Sequence, residues 1–266
     1  MNEIQSIIIG IVEGITEFLP ISSTAHMKFA NPMAGVQDSH FTDMFEVVIQ
    51  LAAILAVVVL YWKKFFDFKK PGFYIKLIIA VIPSLVFGYL LKDHIDSALD
   101  NLVFISFVMI GGGIVLIFID RLFKNPVIHS EAEISNATAL KIGLFQVLSI
   151  VLPGLSRSGA TIIGGMTQRL SRDAAAEFSF FLAVPTMFAA SAKSGYDAYK
   201  ADPSVFSSSN LTVLLIGSAV AFIVSIVAMK LFVGFVKKYG FKPFGYYRIL
   251  AGIVMLVLIW QGVIKK

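Results

Sequence analysis

The sequence predicts an all-α integral membrane protein, an inverted-topology repeat with six transmembrane helices and two re-entrant broken-helix hairpins. Three observations carry that reading. The 266 residues are 57% hydrophobic and 15% charged, against roughly 25% charged in a soluble domain. Six apolar runs, at 45–62, 74–91, 102–119, 177–192, 211–229 and 246–264, each approach the ~20 residues a helix needs to cross a ~30 Å hydrocarbon core. Finally, GIVEGITEFLPISST (10–24) superposes on GLFQVLSIVLPGLSR (143–157) at an offset of 133, about half the chain. No ~10-residue alternating pattern recurs, so the spans are helices and not barrel strands.

Taken in order, the first element is a polar-interrupted segment at about 2–34, with Glu3, Glu13 and Glu17 and no Lys or Arg before its apolar residues. It therefore does not read as a secretory signal. Pro20 breaks it, and the expected form is a hairpin that enters and leaves by one face. Three spans follow and complete a first repeat, residues 1–133. The linker 63–73 carries Lys63, Lys64, Lys69 and Lys70 against Asp67, whereas 92–101 carries Asp93, Asp96 and Asp100 against Lys92. The positive-inside rule puts the former in the cytoplasm and the latter outside, so the first hairpin enters from outside. The second repeat, 134–266, has the same plan, with a hairpin at about 139–170 broken at Pro153–Gly154 and entering from inside. Arg121, Lys124, Arg169, Arg172 and the linker lysines Lys230, Lys237, Lys238 and Lys242 all fall inside; Lys265 and Lys266 fall outside, which the rule does not favour. Both repeats form a single structural domain. Irregular backbone at membrane depth persists only where protein buries it or it lines a wet cavity, so the two tips are expected to meet near the midplane.

With no cysteine, disulfides, thiolate metal sites and cysteine nucleophiles are excluded. A net charge of +5 is modest for a nucleic-acid binder and reads as topology signal, so no nucleic-acid partner is expected. The polar residues concentrate at the breaks. In EGITEFLPISSTAH (13–26), Glu13 and Glu17 share a helix face, Ser22-Ser23-Thr24 can cap a following helix, and His26 is expected beside a hydroxyl on the same turn. In PGLSRSGAT (153–161), Ser156, Arg157 and Ser158 stand at the matching break. A helix N-terminus with free amides, hydroxyls and an arginine is an anion site, most naturally for phosphate. Ser23 (or Ser22) is then the candidate nucleophile, and His26, Glu17, Glu13 and Arg157 complete the candidate catalytic set. Ser22, Thr24, Ser156, Arg157 and Ser158 are the candidate phosphate ligands. The glutamates orient His26, hold a divalent cation, or act as base, and spacing does not choose among these. Intramembrane charges are costly and usually functional. Glu46 and Glu177 are read as structural residues near the interface, and the glycines at 88 and 111–113 as packing positions. The G-x-x-x-x-G at 154–159 lacks the lysine of an ATP-binding P-loop.

EGITEFLPISSTAH and PGLSRSGATI closely resemble the two signature motifs of the undecaprenyl-diphosphate phosphatase family, also called the bacitracin-resistance protein family. The resemblance extends through FEVVIQLAAILAV (45–57) and covers essentially the whole chain, with Ala25 where the family commonly has Gly. It implies hydrolysis of undecaprenyl diphosphate to undecaprenyl phosphate and inorganic phosphate, which recycles the lipid carrier for peptidoglycan synthesis. Bacitracin, which sequesters that substrate, would compete indirectly. Glu13, Glu17, Ser22, Ser23, His26, Ser156, Arg157 and Ser158 match the family's active-site positions. The resemblance further implies help from Mg²⁺ or Ca²⁺, a homodimer, and a multi-pass protein of the bacterial cytoplasmic membrane whose site opens to the outer face. The rival reading is a flippase or transporter of polyprenyl phosphate, since broken helices at the midplane also serve transport. A pure anion carrier has no need of a hydroxyl–histidine pair beside an arginine.

Overall fold

The computed structural model describes residues 1–264; Lys265 and Lys266 lie outside the described residues. Among the described residues there is no β-strand, only an isolated parallel bridge between Ile128 and Leu170. Among the same residues six helices are long and apolar enough to cross a membrane: α3 (His40–Leu60), α5 (Pro71–Leu90), α7 (Leu102–Leu122), α10 (Arg172–Ala201), α11 (Ser208–Tyr239) and α12 (Lys242–Trp260). They correspond one for one to the six apolar runs. Large apolar side chains such as Leu215, Leu231, Leu250 and Phe188 face outward, as an apolar solvent permits and water would not.

Four of the helices too short to cross form two pairs among the described residues. α1 (Glu3–Thr16) and α2 (Ser23–Met33) flank the first break, and α8 (Asn136–Val151) and α9 (Arg157–Thr167) the second. At 1.5 Å per residue even the longest of these covers only about 24 Å. Each pair is closed at its open end. Asn2 and Gln5 form a capping box at the start of α1, and the Gln5 amide donates to the carbonyls of Ala34 and Gly35 beyond α2. In the second pair, the Val127 and Ile128 amides donate to Arg169 O, and Ser171 N returns a bond to Ile128 O. Both segments are therefore hairpins that turn back on themselves, as their breaks require. Two short helices, α4 (Trp62–Phe65) and α6 (Lys92–Leu99), sit in the linkers.

The order hairpin then three long helices occurs twice, and the packing repeats with it. α1 lies against α11 and α8 against α5, the equivalent pair; α3 packs on α10 and α7 on α12. Small residues make these approaches close. A Cβ on Gly143 would run into the Ala80 carbonyl, and one on Gly113 would stand 2.7 Å from Gly245 O, with Gly245 returning 2.6 Å to Gly113 O. The expectation that glycines 88 and 111–113 are packing positions therefore holds for Gly112 and Gly113 only. Gly88 and Gly111 have nothing within 4 Å of a built Cβ, because they lie on helix faces turned away from the protein.

Glu46 and Glu177 tie helices together. Glu46 accepts from Asn31 at 2.5 Å and pairs with Lys28 at 3.5 Å, joining α3 to α2, while Glu177 pairs with Lys64 at 3.1 Å.

Gly143→Val should lower the midpoint of thermal unfolding in detergent by several degrees, because overpacking a helix contact costs about 1–3 kcal/mol. Gly111→Val, the same change on an open face, should leave the midpoint within a degree or two of wild type.

Candidate active site

The two breaks are Glu17–Ser22 and Leu152–Ser156, and each ends in a serine with left-handed backbone, Ser22 at φ 72° and Ser156 at φ 76°. A non-glycine residue held there costs on the order of 1–3 kcal/mol and persists only when its surroundings impose it. Here the constraint is capping. Ser22 Oγ accepts from Ala25 N at 3.3 Å, and Ser156 Oγ accepts from Gly159 N at 3.2 Å. The caps thus make Ser22 the counterpart of Ser156, one residue away from the sequence superposition, which sets Ser23 over Ser156. The shift arises at Gly154, an extra residue between proline and cap in the second hairpin. Its φ is +96°, and a Cβ on it would sit 2.6 Å from the Ile105 carbonyl oxygen. Consequently Ser23 and Arg157 are equivalent, each the first residue of its helix.

The tips touch. Ser158 Oγ donates to Leu19 O across the gap at 2.9 Å and accepts from Ser156 Oγ at 2.9 Å. Arg157 Nη2 donates to Glu17 Oε1 at 2.9 Å, and its Nη1 donates to Ser179 O on α10 at 3.0 Å. The second oxygen of Glu17, Oε2, accepts from Ser23 Oγ at 2.5 Å. A continuous chain Ser23–Glu17–Arg157 therefore spans both hairpins, with Glu17 and Ser23 each 7% exposed. Two groups beside it are buried and unsatisfied: Arg157 Nε, and both carboxylate oxygens of Glu13. Unpaired buried polar atoms cost free energy, so these are the places where an incoming anion or cation would gain most.

The remaining candidates are placed as follows. Thr24 Oγ1 accepts from Gln50 on α3 at 3.3 Å. The hydroxyls of Ser22, Ser156 and Ser158 are engaged in caps and the tip-to-tip bond. His26 does not bond Ser23; its Nδ1 meets Ser22 O at 2.7 Å and its Nε2 meets the Tyr247 hydroxyl at 2.7 Å. The expected hydroxyl–imidazole pair on one turn is thus replaced by a hydroxyl–carboxylate pair, because the left-handed Ser22 rotates Ser23 toward Glu17. Gln146, which the repeat sets opposite Glu13, bonds Ser84 at 2.6 Å and Thr186 at 3.2 Å, an internal polar tie with no charge.

The family model described as bacitracin resistance protein BacA matches residues 6–254. The chain belongs to this family. A relative from Flavobacterium johnsoniae is 51% identical over 259 residues, covering 97% of this chain and 96% of its own. One from Flavobacterium psychrophilum is 52% identical over 258 residues with the same coverage, and one from Porphyromonas gingivalis is 47% identical over 279 residues, covering 99% of each. All three bear the name undecaprenyl-diphosphatase.

In this BacA-family chain one residue that sequence reasoning missed is Arg248, on α12 and fully buried. Its Nη1 donates to Pro20 O (3.0 Å) and Leu155 O (2.7 Å), its Nη2 to Gly154 O (2.8 Å) and Val108 O (3.4 Å), and its Nε to Met109 O (3.1 Å). All five N–H donors of a guanidinium are used, and three of the five acceptors lie on the broken tips. The signal was present: a single arginine inside the apolar run 246–264 is an intramembrane charge needing a purpose.

A divalent cation passes a limited test of fit. Among the described residues no three of His, Cys, Asp or Glu group closely enough to hold a metal ion by themselves, and both oxygens of Glu17 are taken. The free oxygens of Glu13 are hard donors, and Mg²⁺ typically binds through one or two carboxylates with substrate phosphates and water completing the shell.

Arg248→Met should destabilise the protein by about 3 kcal/mol or more, since it orphans several buried carbonyls at once. Thermal unfolding in detergent reads this directly. Arg248→Lys should recover only part of the loss, because three donors on a point charge cannot span both tips.

Proposed function

We propose that the chain hydrolyses undecaprenyl diphosphate to undecaprenyl phosphate and inorganic phosphate at the junction of the two tips. The observation that carries the reading is the Ser23–Glu17–Arg157 chain, which joins a nucleophile, a base and a phosphate ligand from opposite hairpins within hydrogen-bond distance. The names borne by the relatives agree with it.

Ser23 Oγ attacks the terminal phosphorus, and its proton passes to Glu17 Oε2, already its partner. The anhydride P–O bond breaks and undecaprenyl phosphate leaves with that electron pair. Arg157 turns its Nη2 from Glu17 to the phosphoryl oxygens and adds its unpartnered Nε, while the first amides of α2 and α9, which have no intrahelical acceptor, face the same charge. Water then attacks the phosphoserine; His26 takes a proton from the water, and Glu17 returns its proton to the departing Ser23 Oγ. Microscopic charge balance is completed when His26 releases its proton to solvent. Glu13 would hold Mg²⁺ or Ca²⁺ together with diphosphate oxygens, and such an ion neutralises charge on the leaving phosphate.

The wider setting follows from charge placement and family resemblance. The basic linkers set one face of the membrane inside, and the inverted repeat then opens the first hairpin, and the site, to the outer face of a bacterial cytoplasmic membrane. There the enzyme would recycle the carrier for peptidoglycan synthesis as a homodimer, competing indirectly with bacitracin, which sequesters the diphosphate.

Purified protein should release inorganic phosphate from undecaprenyl diphosphate. Ser23→Ala and Arg157→Ala should each lower kcat by roughly 10²–10³-fold or more. Rapid quench should trap phosphate on Ser23. A wild-type protein that moves the lipid between leaflets but releases no phosphate would establish the transport reading instead.

A further inference from the structure

His26 is held from both sides. A backbone carbonyl only accepts, so the 2.7 Å contact of Nδ1 with Ser22 O places the ring proton on Nδ1. The lone pair of the neutral imidazole is then on Nε2, where the Tyr247 hydroxyl donates to it at 2.7 Å. The two rings lie nearly parallel, with planes 8° apart and centroids at 5.6 Å. Tyr247 OH has no other hydrogen-bond partner among the described residues. Its mounting is rigid: the next residue is Arg248, whose guanidinium is fixed on Pro20, Gly154 and Leu155. Two neighbouring side chains of α12 therefore grip the same centre, one through backbone carbonyls and one through the imidazole.

We propose that Tyr247 is a positioning residue for the phosphatase reaction, setting the tautomer and ring plane of His26 so that Nε2 is the nitrogen that takes the proton once the attacking water displaces the Tyr247 hydroxyl from its lone pair. The proposal rests on the phosphatase reading above. It gives α12, which carries neither signature motif, a direct part in the proton chemistry. It also fits the separate contacts in the site: Glu17 bonds Ser23, and His26 bonds Ser22 O and Tyr247, which leaves it for the water step proposed above.

The test is phosphate release by the purified full-length protein, comparing wild type, Tyr247→Phe, His26→Ala and the double variant, with thermal midpoints measured for each. Tyr247→Phe removes one oxygen and keeps the ring, so its midpoint should stay within a degree or two of wild type. Its kcat should fall about 10–100-fold, within the range general acid–base groups contribute, while KM for undecaprenyl diphosphate changes less than twofold. In the double variant the Tyr247→Phe change should cost nothing further, because the group it positions is gone. If Tyr247→Phe keeps wild-type kcat while His26→Ala is impaired, the proposal is wrong and the phosphatase reading stands. Multiplying losses in the double variant would also overturn it. Should His26→Ala retain full activity, the role given to His26 fails first, and the proposal with it.

Discussion

A fully buried guanidinium holding carbonyl oxygens from two interrupted helices is the constraint on which the rest of this structure depends. A chain at membrane depth has no water to satisfy exposed backbone groups, so every carbonyl freed by Pro20 or by Pro153–Gly154 needs a protein donor. Arg248 supplies five donors from one side chain, and three of them go to Pro20, Gly154 and Leu155. Among the described residues it is balanced by carbonyl dipoles and not by a carboxylate. Position follows from that. With both tips fixed to one residue, Ser158 reaches Leu19 O, Arg157 reaches Glu17, and the first turns of α2 and α9 converge.

The same accounting separates scaffold from site. The cap hydroxyls and the carbonyls at the breaks have partners that lock the backbone. Glu13 and Arg157 Nε have none. In a medium where each unsatisfied group is expensive, leaving a carboxylate and a guanidinium N–H bare at one junction makes sense only if a charged ligand completes them. The left-handed serines belong to the same economy of strain: capping imposes it, and its result is to aim Ser23 at Glu17.

Much of this was legible in the sequence, for identifiable reasons. Hydrophobic runs report helices directly because the bilayer sets their length, and all six long helices appear where those runs lie. Proline and small polar residues inside apolar sequence reported the breaks, and the repeat argued that the tips meet. What was not legible depends on which helix packs against which. Spacing brings His26 near Ser23 on one turn, but the orientation of Ser23 is decided by a positive φ at Ser22, and serine does not announce one. The one-residue shift between the repeats follows from Gly154, which an ungapped superposition passes over. Gln50, Ser179, Tyr247 and Arg248 come from α3, α10 and α12, far from either motif in sequence, and only the tertiary fold brings them to the tips. Of these, Arg248 alone carried a sequence signal, its charge within an apolar span.

The central claim is that the two hairpin tips form one phosphatase site and not two polar patches. The most direct measurement is a double-mutant cycle on phosphate release, pairing Glu17→Gln in the first hairpin with Arg157→Ala in the second, in protein shown by thermal unfolding to be folded. If the tips act as a unit, the double variant is no slower than the slower single variant. Losses that multiply would mean that the two residues act independently, and the shared site would have to be abandoned.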